Sequence, residues 1–298
     1  MRARIKKRQR TRNITIVAII AVVVVLVIAA SYFLTTLNSG TSTELGQPVS
    51  SSILSDLSSI AQSSSYGPYN PVFVSSSVLK PASGGVFSTG KPIILYIGGE
   101  FCPLCAFQRW PLVITLMRFG NLTGLTYMQS SAIDSEPNTY TFSFVGYHYS
   151  SKYIVFEAYE QEDRSHNQLQ TVPQNYTAIF DKFGAYPFID FNNKYTLEGS
   201  YYVPDTWSGL NWTQIIQQIR TPNSPISIQV MSAANALTAV ICNLTGETPT
   251  SICNNPSITA LPVTLASYNL GSNIQLTAGT PDRMPERQAN SIPSKILD

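Results

Sequence analysis

An α/β fold preceded by a single membrane-spanning helix is the architecture this sequence predicts, and three observations carry it. Residues 14–37 form a charge-free, largely apolar run behind a dense cationic flank. The β-rich apolar run from Ile93 to Ile97 leads into Cys102-Pro103-Leu104-Cys105 and then into a helical segment. Beyond it, strand-like and helical segments alternate as far as Cys242.

The first element is the anchor. Arg2, Arg4, Lys6, Lys7, Arg8, Arg10 and Arg12 supply 7 of the 19 basic side chains, and no acid precedes Glu44. A span of roughly 20 apolar residues crosses the hydrocarbon core as a helix. Its cationic flank stays cytoplasmic by the positive-inside rule. Residues 1–13 therefore read as a cytoplasmic basic tail and 14–37 as a transmembrane anchor, with the remaining chain extracellular at the cell membrane. The alternative is a cleaved signal peptide with Ala29, Ala30 and Ser31 near its cleavage site, although the run exceeds a usual signal core of about 7–15 residues. After residue 12 the chain holds 12 basic against 17 acidic side chains, a net of −5. It shows no basic stripe, so nucleic acid is not an expected partner of the folded part.

Residues 38–80 are Ser-rich and interrupted by Gly40, Pro48, Gly67, Pro68 and Pro71, the composition of a linker. Within them Ile53, Leu54, Leu57, Ile60 and Ala61 follow helical spacing, predicting a short amphipathic helix that either packs on the domain or serves as a stalk. The domain itself is expected over 81–260, with a core beginning near Val86. A wholly apolar run such as Ile93–Ile97 suits a central strand buried on both faces. Ala106 to Phe119 reads as a helix stopped by Gly120-Asn121, with Pro111 expected to kink it. Strands are expected at Leu125–Met128, Tyr140–Phe144 and Tyr153–Tyr159, and a short helix at Tyr176–Phe183. Two β-like runs, Tyr186–Phe191 and Lys194–Tyr202, flank Asn192-Asn193 and predict a hairpin. Trp212–Ile219 and Ile226–Cys242 have helical spacing, and residues 261–298 read as a disordered tail.

The chemistry centres on Cys102 and Cys105. A cysteine at a helix N-terminus faces unsatisfied N–H groups and the positive end of the dipole, which favour the thiolate. Pro103 falls at the first helical position, where proline is tolerated. Two intervening residues bring Cys105 back within one turn. Cys102 is thus expected to be outermost and to attack, and Cys105 to be more buried and to resolve the mixed disulfide. A structural disulfide and half of a zinc site are the alternatives. Zinc needs about four ligands, and the remaining cysteines and histidines are poorly spaced for it, so no metal is expected. His148 and His166 are expected at the surface. Cys242 and Cys253 are read as a structural disulfide closed by a turn through Thr245, Gly246 and Pro249; a shuttle pair serving Cys102 and Cys105 is the alternative.

The order of strand, CxxC helix, strand, helix, then x-Pro and a hairpin resembles that of the thioredoxin-like fold. The segment AYPFIDFNNKYTLEG resembles the cis-proline segment of that family. This resemblance implies that Pro187 is a cis-proline beside the dithiol and that the backbone of Tyr186 pairs with a bound substrate chain. Some positions depart from the thioredoxin pattern. Phe101 stands where Trp is usual, Pro103-Leu104 replaces Gly-Pro, and Tyr96 occupies the place of a buried acid. Glu100 is the nearest acid, either a proton acceptor or a solvated loop residue. More specifically, GGEFCPLCAFQRWPLVITLMRFGNLTGL and ICNLTGETPTSIC resemble the archaeal domain-of-unknown-function 929 family of membrane-anchored thioredoxin-like proteins, over roughly residues 50–260.

The expected function is extracytoplasmic thiol–disulfide exchange on secreted or membrane proteins carrying thiols or disulfides. It would need no dissociable cofactor and an unidentified membrane redox partner. The alternative is a non-catalytic thioredoxin-like surface or binding protein with structural disulfides.

Overall fold

The computed structural model describes residues 42–63, 79–82, 84–88, 90–182, 184–201, 207 and 209–259. The predicted basic tail, transmembrane anchor and C-terminal tail lie outside the described residues, as do residues 38–41 and 64–78 of the predicted linker.

The first described helix, α1 (Ser51–Gln62), starts at Ser50, whose side chain accepts the Ile53 N–H. Its apolar stripe of Ile53, Leu57, Ile60 and Ala61 is buried. Of the two roles left open for this helix, packing on the domain is the one observed. The stretch read as linker is therefore folded here: Val49 is also buried, and Tyr127 and Leu125 exchange backbone hydrogen bonds with residues 46–49.

Five strands form the main sheet: β1 (Leu79–Pro81), β2 (Ile93–Gly98), β7 (Val155–Glu160), β8 (Phe188–Phe191) and β9 (Tyr195–Glu198). Their order is β1-β9-β8-β2-β7. β2 runs parallel to β7 and antiparallel to β8, with Tyr96 opposite Ala158 on one side and Ile189 on the other. The apolar run of β2 is explained by this central position. Ile94 and Tyr96 face the larger hydrophobic cluster, and Leu95 and Ile97 the smaller one. The hairpin of β8 and β9 turns at Asn192 and Asn193, both with positive φ, as asparagine tolerates. β1 precedes the expected start of the core and closes one edge by pairing with β9.

Helix α2 (Pro103–Phe119) follows β2 and is buried along nearly its whole length. It runs through Pro111 without a break in the helix. Gly120 ends it with extended backbone, and the reason glycine is needed is close approach: a Cβ there would collide with the Ser150 carbonyl. Residues 120–151 then form two small antiparallel strand pairs apart from the main sheet, β3 (Gly120–Thr123) with β6 (His148–Ser151) and β4 (Thr126–Gln129) with β5 (Tyr140–Ser143). The strand directly after α2 is therefore not the parallel neighbour of β2; β7 is. The described chain continues with α3 (Gln174–Phe180), α4 (Trp212–Arg220), α5 (Pro225–Leu244), α6 (Thr250–Cys253) and α7 (Pro256–Thr259).

The result is a mixed α/β structure whose main sheet is covered on both faces. α1, α2, α4 and α5 contribute to the larger cluster, and α3 supplies Tyr176 to the smaller. Among the described residues only α5 is long and apolar enough to cross a membrane, but most of it is buried in this core. Its apolarity is what a central helix requires.

Candidate functional site

Cys102 is the N-cap of α2 and Pro103 its first residue, as the sequence predicts. The Cys102 Sγ accepts the Cys105 backbone N–H at 3.2 Å, occupying one of the donors that a helix start leaves unpaired. Both cysteines are free thiols. Cys105 is fully buried and Cys102 is 7% exposed, so Cys102 is the outer of the two but is not open to solvent. A hydrogen bond from the Cys105 side chain holds the Cys102 thiol below its ordinary pKa against opposing burial, helped by the Cys105 N–H and the Arg109 charge. Burial drives Cys105 the other way, well above its ordinary value, and its hydrogen bond to Cys102 adds to the rise. The pair is therefore asymmetric in access and in acidity. Such a dithiol can attack through one sulfur and hold the other in reserve.

A buried ion pair, absent from the sequence-level expectations, lies under this dithiol. Arg109 follows Cys105 by four residues and Cys102 by seven, on the same face of α2. Its Nε and Nη2 donate to the two carboxylate oxygens of Glu160 at 3.0 and 2.6 Å, with both side chains fully buried. Nη2 also donates to the Gly99 carbonyl at 2.8 Å, tying the loop that delivers Cys102. The guanidinium carbon is 5.8 Å from the Tyr96 ring centroid. Tyr96 Oη and Arg109 Nη1 are both buried without a hydrogen-bond partner. Arg109 carried one sequence signal: a charge one turn after Cys105 in a largely apolar helix. Glu160 carried none, because its partner is 51 residues away in the chain.

Glu100 is not a solvated loop residue. It is buried and accepts a hydrogen bond from Ser143 Oγ at 2.6 Å. Burial raises its pKa, more than the Ser143 bond lowers it.

The Tyr186-Pro187 bond is cis. Tyr186 Oη donates to Gln161 Oε1 at 2.6 Å, and its ring lies 6.1 Å from that of Phe101, the residue before Cys102. Burial raises the Tyr186 phenol to about 12, with the charges of Glu162, Cys105 and Cys102 adding to the effect. Among the described residues no hydrogen bond involves the Tyr186 backbone. The structure thus brings Cys102, Cys105, Tyr186 and Pro187 to one end of the sheet. Phe180 stacks on Tyr186 at 5.5 Å, and His166 lies against Phe101 at 4.0 Å, completing an aromatic rim. Both histidines are exposed, and only His166 borders this site.

Cys242 and Cys253 are joined by a disulfide, with Cα atoms 5.6 Å apart. The turn between them is closed by a hydrogen bond from Glu247 N to Cys242 O and by Thr245 Oγ1 donating to Thr248 O. The Glu247 carboxylate lies near both sulfurs, but sulfurs bonded to each other lack the thiolates that a metal would need.

No curated protein and no solved structure matches this chain. A family model described as "Domain of unknown function (DUF929)" matches residues 80–182 and 174–243, which takes in β2 to β9, the dithiol, the cis-proline, and all but the first residue of β1 and the last residue of α5. The two matches together cover more than half of the 298 residues, and the chain belongs to the DUF929 family.

Proposed function

We propose that this chain is a membrane-anchored, extracytoplasmic thiol–disulfide oxidoreductase with a thioredoxin-like fold, acting on protein cysteines. The observation that carries the proposal is the dithiol at the N-terminus of α2, acidified at Cys102, buried at Cys105, and set beside Tyr186. The fold assignment draws support from strand order. β7, β2, β8 and β9 lie side by side, with α2 between β2 and β7 in sequence and α3 between β7 and β8. Residues 120–151 are an insertion into that plan. The anchor rests on the charge-free run behind seven cations.

In the reducing direction the Cys102 thiolate attacks one sulfur of a client disulfide. A mixed disulfide forms and the other client sulfur leaves as a thiolate. Cys105 then loses its proton and attacks Cys102 Sγ, releasing the second client thiolate. The client gains two electrons and the Cys102–Cys105 pair is oxidised. In the oxidising direction the same steps run backwards from a client thiolate. Turnover in either direction requires a membrane redox partner that restores the starting state. The backbone of Tyr186, which no described residue pairs, offers an extended client a strand-like contact beside the sulfurs.

Cys105→Ser removes the resolving thiol and should trap client proteins on Cys102. Non-reducing gels of the anchored protein in its native membrane are expected to show adducts that vanish with reductant. A membrane preparation that yields none, with Cys102 shown to be free and alkylatable, removes the proposal's support.

A further inference from the structure

A polar cavity opens between α1, α2 and α5, with a volume of about 90 Å³. Its walls include Gln62 at the end of α1, Arg118 near the end of α2, Asn235 in α5, and Ser251 and Asn255 beyond the disulfide turn. Arg118 is buried. Its Nε donates to Ala61 O at 3.4 Å, and its Nη1 to Thr238 Oγ1 at 2.7 Å and Ala234 O at 3.3 Å. All three acceptors are neutral, and among the described residues no carboxylate pairs with this arginine. Its Nη2 makes no hydrogen bond to a described residue. Burial without a countercharge pulls its pKa down to about 10. Asn235 is 1% exposed, and its Nδ2 has no partner. Arg109, the other buried arginine of α2, differs in holding Glu160. An unpaired buried cation is costly, and so is an unpaired buried amide.

We propose that this cavity is a binding site for one small oxyanion, of the phosphate or sulfate class. Arg118 lines this cavity as a buried guanidinium without a countercharge among the described residues, and a guanidinium suits oxyanion geometry. The volume is sufficient for a single tetrahedral ion. The site shares no residue with the dithiol and does not depend on the function proposed above.

The test uses the purified full-length chain and inorganic phosphate at constant ionic strength. Equilibrium dialysis should find one phosphate per chain. Thermal unfolding should show a saturable rise of about 3–6 °C, as ligand linkage predicts for a domain of this size. Arg118→Lys keeps the positive charge but loses the planar fork of donors. Its phosphate response should need at least about tenfold more ligand, the cost of losing a hydrogen bond to a charged group. Arg118→Met should lose the response altogether. Should neither variant fold, the dialysis stoichiometry of the unaltered chain decides. Zero bound phosphate overturns the site, and so does an unsaturable rise shared by parent and Arg118→Met, which is the general effect of a kosmotropic salt.

Discussion

Cys102 and Cys105 stand three residues apart in the first turn of a helix and are free thiols, whereas Cys242 and Cys253 stand eleven apart across a turn and are bonded to each other. Burial does not separate the two pairs, since all four residues are buried. Their surroundings do. Cys242 and Cys253 belong to the larger hydrophobic cluster. Cys102 and Cys105 belong to neither cluster. They meet the N–H groups of a helix start, the Arg109–Glu160 pair and the unpartnered Tyr96 hydroxyl. An apolar setting leaves a sulfur with nothing to stabilise its charge, and a bonded pair needs no such help. A polar, positively biased setting keeps one sulfur acidic.

The sharpest way to break this contrast is to remove one sulfur from each side. Cys102→Ser should abolish exchange with both protein disulfides and small disulfide reagents, in an assay that follows reduction of a fluorescent disulfide substrate. The bonded pair, replaced by serines, should leave that activity intact. Loss of activity in a folded Cys242→Ser, Cys253→Ser variant would favour the shuttle over the staple.

Next in size is the ion pair beneath the dithiol. Arg109→Met leaves Glu160 buried and unpaired, which should cost about 3–5 kcal/mol in denaturant unfolding. Replacing both partners, Arg109→Met with Glu160→Leu, should recover most of that loss, since an apolar pair carries no desolvation penalty. That recovered variant isolates electrostatics from stability. The pH profile for alkylation of Cys102 should move upward in it, because a positive neighbour has gone. An unmoved profile would make Arg109 a structural tie only. The staple should matter less: its loss is expected to lower unfolding free energy by about 2–4 kcal/mol, the usual effect of freeing a short loop in the unfolded chain.

Sequence made the dithiol legible because its signals are local. The apolar run of β2, the two cysteines, Pro103 and the helix periodicity lie within 30 residues. The hairpin at Asn192 and Asn193 was legible for the same reason. Three features were not. The Arg109–Glu160 pair joins a helix to a strand end 51 residues later, and no periodicity links them. β1 is three residues long, has one buried side chain, and exists through its pairing with β9. The partner of β2 was hidden by residues 120–151, which insert two other strand pairs between α2 and β7. The packing of α1 was legible as an amphipathic stripe, but the surface it would cover was not.

A smaller effect sharpens the contrast by removing a confounding titration. Asp190 lies on β8, fully buried, with Oδ1 accepting the Asn193 N–H at 2.6 Å and Oδ2 unpartnered. Burial raises its pKa from 3.8 to about 7, against the opposing hydrogen bond. The folded state therefore holds the proton more tightly than the unfolded chain does. Its contribution is fully present below about pH 4 and is lost as pH rises through about 7. Above that, the fold carries a buried, half-satisfied carboxylate. Asp190→Asn keeps the acceptor for Asn193 and removes the charge, though its amide N–H groups inherit the unpartnered position. It should raise unfolding free energy by about 1–2 kcal/mol at pH 8 and by little at pH 4. Chemical denaturation at the two pH values checks the sign. Cys102 alkylation should keep its parental pH profile in this variant. If the profile moves with the stability, the acidity of Cys102 reflects opening of the fold rather than the helix start and Arg109, and the contrast between the two cysteine pairs loses its electrostatic basis.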